Sequence, residues 1–389
     1  MLMTMSSAFG QTYFIAIFAP QIKSELGLSD GGFGSLYAAG TITSAAVMMW
    51  GGKVADVFPI RLLAVLAILG LAAMCLAMSS VAAAWMLLPI LFGLRLFGQG
   101  SMGHLAMTGV GRWYLRRRGR MMSLAVLGFP ASEAVMPFAA VTLMAAFGWR
   151  EVWTIAAATL VLVSIPLVLF FLRAEPQLGA VEIPSGETSG VRRQWTRAEV
   201  LRTPEFFAVV SGIVVPSFVM TGIFFHQAYL VEAKGWSLAW FAGWFPVYAI
   251  TSVCTALLTG WLVDRFAARS FLPLFLLPMT CGILVLAFST SPYAVPVFML
   301  LGALTNGSAS TLLGALWAEL FGTRHLGAIR SVAFAGQVFA SALAPGLIGL
   351  LLDFGIRIEA QYVALAAYAL VSSLWLWLFV PRLHRIAHG

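Results

Sequence analysis

Gly51-Gly52-Lys53-Val54-Ala55-Asp56-Val57-Phe58-Pro59-Ile60-Arg61 is a short polar stretch set between two long apolar runs. An echo stands 208 residues later, where Gly260, Asp264, Phe266 and Arg269 answer to Gly52, Asp56, Phe58 and Arg61. The same offset carries Gly119, Ser123, Gly128 and Pro137 onto Gly327, Ser331, Gly336 and Pro345. Two separated segments sharing one ungapped offset mark a duplication, so the chain reads as two related halves.

The runs flanking this stretch are typical of the whole sequence. Of the 389 residues 61% are hydrophobic and 10% charged, against about 25% charged in a soluble domain. Mean hydropathy is +0.93. An apolar run of roughly 20 residues crosses a bilayer as a helix. Twelve such spans are predicted, near 3–22, 32–52, 61–80, 84–111, 121–146, 150–172, 206–230, 237–262, 270–290, 293–318, 328–351 and 358–380. Residues 1–20 hold no Lys or Arg, so they lack the basic flank of a cleavable signal. Cys75, Cys254 and Cys281 lie in apolar runs without metal-ligand spacing and are expected to be buried free thiols.

Charge sets the orientation. With the N-terminus inside, the cytoplasmic loops hold eighteen Lys and Arg residues and the outer loops four: Lys23, Arg150, Lys234 and Arg357. Arg95 is the one left of the 23. Such asymmetry places both termini in the cytoplasm of a cell (inner) membrane. It also accounts for the net charge of +8 without a nucleic-acid partner. The longest polar stretch, 174–205, is read as a linker between a six-helix bundle over 1–173 and a second over 206–389. Within it, Trp195-Thr196-Arg197-Ala198-Glu199 suits either a short surface helix or a tether. Loops of two to seven residues leave no soluble domain to house an enzyme. Neither a metal-ligand set nor a Ser/His/Asp arrangement is evident, so no metal or cofactor is expected.

The repeated loop has a chemistry of its own. Gly52 and Gly260 allow close helix approach. Asp56 and Asp264 can accept hydrogen bonds from the free N–H groups at another helix's start, near Gly119–Ser123 or Gly327–Ser331. Two readings stand: a latch that holds the cytoplasmic side shut, or a charge cluster that merely keeps the loop inside. The loop resembles the signature of the major facilitator superfamily, Gly-x-x-x-Asp-Arg-x-Gly-Arg-Arg/Lys. The copy at Gly260, Asp264, Arg265 and Arg269 keeps more of it than the first, where Val57 and Pro59 replace an Arg and a Gly. The resemblance implies an all-α fold of twelve membrane helices in two pseudo-symmetric bundles, usually monomeric. It also implies alternating access around a central site and gating by Gly52, Asp56, Arg61, Gly260, Asp264, Arg265 and Arg269.

Two charged residues fall near the middle of spans, Arg95 and Glu133. A charge at that depth costs about 2.5–3.5 kcal/mol or more, so it is paired, wet or functional. Arg95 and Glu133 either pair structurally, or Glu133 carries a proton while Arg95 meets an anionic solute. Gln99 shares the helical face of Arg95, and Gln11 lies on one face of span one. Pro130 and Pro137 flank Glu133 and are expected to bend span five. The second half offers His226, Tyr248, Asn306 and Gln337, each with a packing alternative to solute contact. Gly93-Leu94-Arg95-Leu96-Phe97-Gly98-Gln99-Gly100 resembles the superfamily's span-four pattern, whose Arg is often tied to proton coupling.

Trp113-Tyr114-Leu115-Arg116-Arg117-Arg118-Gly119, Gly148-Trp149-Arg150 with Trp153, and His226 with Leu230 and Gly235 resemble the monocarboxylate and oxalate/formate branch. Span eight, unlike that branch's animal members, carries no charge before Asp264. The expectation is a proton-coupled transporter of a small organic solute, a monocarboxylate-like anion first. A proton-coupled efflux antiporter for lipophilic compounds is the rival, and a non-transporting membrane sensor a minor one. Protons, solute and lipid are the expected partners.

Overall fold

A computed structural model describes residues 1–51, 54–113, 118–173, 194–322 and 325–388. The described residues form helices joined by short turns. In chain order the main ones are α1 (Leu2–Gly10), α2 (Thr12–Leu26), α3 (Asp30–Gly51), α4 (Ile60–Ser79), α5 (Ala84–Gly93), α6 (Gly103–Trp113), α7 (Gly128–Phe147) and α8 (Trp149–Phe171). They continue with α9 (Pro204–Phe225), α10 (Gln227–Lys234), α11 (Phe245–Phe266), α12 (Leu277–Phe288), α13 (Ala294–Phe321), α14 (Leu326–Asp353) and α15 (Ile358–His388). Eight of the described helices are long and apolar enough to cross a membrane, or nine if α1 and α2, bent by 44°, make one broken span.

Three expected spans depart from a plain apolar helix, each for a local reason. Span two, α3, is 22 residues long but rich in Gly, Ser and Thr. Span four is interrupted by a nine-residue π-helix over Leu94–Met102 between α5 and α6. There the Ser101 hydroxyl donates to the Leu96 carbonyl, five residues back, at 2.8 Å. Span nine becomes α-helical only at Leu277, after turns over 271–276 that include Pro273. Proline lacks the N–H the ladder needs. Thr305 of α13 bridges the junction, donating to the Phe275 carbonyl at 2.8 Å and accepting from the Met279 N–H at 3.1 Å. Span five is continuous through Pro137. Of the segment 194–205, Arg197–Val200 forms a four-residue helix with a Thr196/Glu199 capping box. Trp195 pins that helix by donating its N–H to the Phe321 carbonyl at 3.1 Å. The rest of the expected linker, 174–193, lies outside the described residues.

The contacts divide the chain into two compact units. The first holds Met1–Val181, Ile223–Pro246 and Pro345–Phe354. Its core is aromatic around the α1–α2 junction, where Phe14 and Phe18 lie 5.3 and 5.1 Å from the Trp153 ring. The second holds Glu182–Gly222, Val247–Ala344 and Gly355–Gly389, with α12 packed against α13 and α15. Gly27 and Gly235, at the C-terminal ends of α2 and α10, both take left-handed geometry (φ 65° and 67°), which a residue without Cβ adopts freely. They too stand 208 residues apart. Cys75 is buried as expected, whereas Cys254 and Cys281 are exposed. An apolar run in a membrane protein need not be packed on every face, so apolar sequence alone does not bury a thiol.

Candidate functional site

The site grows from the break between α1 and α2. Gln11 is extended (φ −87°, ψ 151°), so the helical ladder stops there. Its N–H turns back to the Ala8 carbonyl at 2.9 Å, and the next turn restarts on its own carbonyl. The Gly10 carbonyl is thereby released, and Arg95 Nη1 donates to it at 3.0 Å. No side chain could stand at this crossing. A Cβ on Gly10 would lie 2.2 Å from the Leu94 carbonyl oxygen, and one on Gly98 2.6 Å from the Gly10 Cα.

Arg95 is 1% exposed. Its guanidinium carbon lies 5.2 Å from the centre of the Tyr37 ring, and the Tyr37 hydroxyl shares a 2.6 Å hydrogen bond with Thr12. Its Nε and Nη2 have no hydrogen-bond partner among the described residues. These two N–H groups project in parallel from one edge of the guanidinium, the edge that grips a carboxylate with two hydrogen bonds. A buried cation with an open two-donor edge is costly until an anion fills it.

Glu133 sits half-buried on α7, and its carboxylate has no hydrogen bond or ion pair among the described residues. Arg95 and Glu133 therefore do not form the structural pair considered from sequence. The neighbouring Ser132 donates to the Phe129 carbonyl at 2.8 Å, which leaves its oxygen to accept from the Tyr13 hydroxyl at 3.0 Å. Gln11 donates to Ser7 at 3.3 Å, and Gln99 follows Gly98 on the π-helix against Gly10. His226, at the α9–α10 junction, is 3% exposed with Nε2 3.0 Å from the Pro345 carbonyl. These residues all belong to the first unit.

The second unit holds the other three. Tyr248 is buried on α11, one turn before Ser252, whose hydroxyl accepts from Asn306 Nδ2 at 3.2 Å. Gln337 of α14 donates to the Ile213 carbonyl on α9 at 3.3 Å.

Of the loop residues, Gly52 and the Asp56 side chain lie outside the described residues, and Arg61 is exposed at the start of α4. In the second copy, Gly260 leaves a gap filled by the Thr311 methyl group, 3.7 Å from where a Cβ would stand. Asp264 and Arg265 are exposed, and the Arg265 guanidinium stacks 5.8 and 5.7 Å from the Trp261 and Phe266 rings. Arg269 is buried and ion-paired with Glu319, which also accepts the Ala268 N–H at 2.8 Å. Glu319, not Asp264, is the carboxylate that caps this loop. Sequence reasoning missed it, although an acid at the last turn of an apolar span was a usable signal. Thr12 and Tyr37 were missed as well.

Ala267 is the one non-glycine among the described residues with positive φ (66°), at the position where the superfamily signature has Gly. With ψ 139° it lies outside the left-handed helical region, in positive-φ extended backbone that costs a residue with a Cβ about 1–3 kcal/mol. Ala267→Gly is expected to raise the melting temperature of the purified protein, and a lower value would show that the loop is not strained there.

The described residues thus make a helical membrane fold in which a buried, half-satisfied Arg95 stands on a π-helix beside a broken first span. The Major Facilitator Superfamily model matches residues 1–247 and 241–388, and the chain belongs to that superfamily of membrane transporters. Among solved structures it is similar to a bacterial homologue of the human lysosomal transporter Spinster. The inward-facing, unoccupied form gives a TM-score of 0.77 at 16% identity, covering 99% of this chain and 96% of that one. The inward-facing, occupied form gives 0.66 at 17% identity, covering 100% and 94%. No curated protein matches the sequence.

Proposed function

We propose that this chain is a proton-coupled secondary transporter of a small, monocarboxylate-like anion. On this reading it has twelve spans in two six-helix bundles, both termini cytoplasmic in the inner membrane, and works as a monomer by alternating access. The observation that carries the proposal is the open Nε–Nη2 edge of buried Arg95. A carboxylate on that edge meets two parallel donors and the only charge it needs. Gln11 and Gln99, in the same unit as Arg95, are the polar groups offered to the rest of the solute, and Tyr248, Asn306 and Gln337 are the second unit's candidates for solute contact. The loops around Asp56 and Asp264, the second braced by Arg269 and Glu319, serve as cytoplasmic gates.

Glu133 supplies the coupling. On this reading the empty carrier holds Arg95 as a cation and Glu133 as an anion within its spans, with no net charge between them. The site holding both solute and proton is neutral again. With either alone, one charge is uncompensated. At about 2.5–3.5 kcal/mol for a buried charge and ~1.4 kcal/mol per tenfold, half-loaded forms are disfavoured by about two orders of magnitude. One anion therefore moves with one proton, and transport is electroneutral. In proteoliposomes, an imposed potential of about 100 mV, worth ~2.3 kcal/mol per charge moved, should leave the rate unchanged. A several-fold dependence on potential would contradict one-to-one coupling.

A further inference from the structure

One stripe of α3 looks onto the π-helix. Tyr37, Thr41, Ser44 and Met48 follow one another at spacings of four, three and four residues, so they share a helical face. Contacts fix both ends of the stripe. The Tyr37 ring centre lies 5.2 Å from the Arg95 guanidinium carbon. At the other end a Cβ on Gly100 would stand 3.0 Å from Met48 Cγ, and the Ser101 hydroxyl lies 3.7 Å from Met48 Sδ. Thr41, between the two, therefore faces the segment from Arg95 to Gly100, where Gln99 is only partly buried.

Thr41 is 2% exposed, and its Oγ1 has no hydrogen-bond partner among the described residues. A threonine inside a helix can satisfy itself on the carbonyl four residues back. Thr43, two residues on and exposed, does so at 2.8 Å to the Ala39 carbonyl, and Thr142 and Thr159 do the same. Thr41 leaves that bond unmade. An unbonded buried hydroxyl destabilises a fold. The π-helix opposite is a second departure from regular structure, of a kind frequent at functional sites. Thr41 Oγ1, Arg95 Nε and Arg95 Nη2 are thus three unbonded polar atoms along one seam between α3 and the π-helix.

Their chemistries differ. The guanidinium edge only donates, and its two N–H groups occupy a carboxylate. A hydroxyl donates once and accepts twice, so it matches a solute group that also does both. We propose that Thr41 is a solute-binding residue that reads a hydroxyl on the carbon next to the carboxylate, which makes 2-hydroxy monocarboxylates the preferred anions. The proposal rests on the reading of Arg95 as the anion's partner. A plain alkyl acid fills the Arg95 edge equally well but leaves the Thr41 hydroxyl buried and unbonded, which is how a site built for a polar group rejects an analogue lacking it.

Half-saturating concentrations for exchange by the full-length protein in proteoliposomes test this. The paired solutes are 2-hydroxypropanoate and propanoate, with protein-free vesicles as control. The wild type is expected to favour the hydroxy acid by about two- to tenfold, the net worth of one hydrogen bond. Thr41→Val, which puts a methyl of similar volume in place of the hydroxyl, should erase that preference by weakening the hydroxy acid alone. Thr41→Ser should keep it. Because the valine removes an unbonded buried hydroxyl, it should also raise the melting temperature of the solute-free protein, a gain that a hydroxyl serving only the fold would not give. Thr41→Ala serves if the valine variant does not fold. Equal weakening of both acids by Thr41→Val would make the hydroxyl a third donor to the carboxylate and overturn the proposal. A preference that survives in the folded variant, or none in the wild type, would overturn it as well. Exchange of neither acid by the wild type would overturn the reading of Arg95 and this proposal with it.

Discussion

Glu133→Gln is expected to abolish proton-driven accumulation of the solute while sparing solute exchange. The amide has the shape of a protonated carboxyl and takes no proton. With solute bound, the carboxylate balances Arg95 and the site remains neutral, so loaded carriers still cross. Without solute, Arg95 is left alone, and the empty carrier must return with an uncompensated charge worth about 2.5–3.5 kcal/mol. Net accumulation needs that return and exchange does not. Uptake against an imposed pH gradient and counterflow, measured on the same vesicles, separate the two. Unchanged accumulation would remove Glu133 from the mechanism.

The second large effect is expected at Arg95. Lys keeps the charge and can still reach the Gly10 carbonyl, but it has no two-donor edge. Losing one charge-assisted hydrogen bond costs about 1.5–3 kcal/mol, or about ten- to a hundredfold in affinity at ~1.4 kcal/mol per tenfold. Arg95→Lys should thus raise the half-saturating solute concentration of exchange by that factor. Arg95→Gln should eliminate exchange. A Lys variant with wild-type saturation would place the anion elsewhere.

Much of this was legible in the residues, for reasons of scale. Apolar runs, the repeated loop and two charges stranded in apolar spans are local features, and Arg95 and Glu133 stood out without any structure. The break at Gln11 was not legible, because no proline marks it. It depends on Gly10 meeting Gly98 across two helices. The π-helix over Leu94–Met102 has no periodicity distinct enough to separate it from an α-helix in nine residues. Glu319 gave a usable signal at the end of its span, but its role as a loop cap was missed because its partner Arg269 lies 50 residues away. His226 read as a candidate solute contact, and its bond to the Pro345 carbonyl, 119 residues away, was hidden for the same reason, as was that of the Gly31 N–H to Asp353 across 322 residues.

The most direct test of the central claim is solute-evoked proton flux. Purified protein in liposomes holding a pH-sensitive dye receives a pool of small monocarboxylates outside, with protein-free vesicles correcting for unaided passage of weak acids. Internal acidification that exceeds the control and disappears in Glu133→Gln is the expected result. No protein-dependent acidification with carboxylates, together with alkalinisation of acid-loaded vesicles by lipophilic cations, would contradict it and establish proton-coupled efflux in its place.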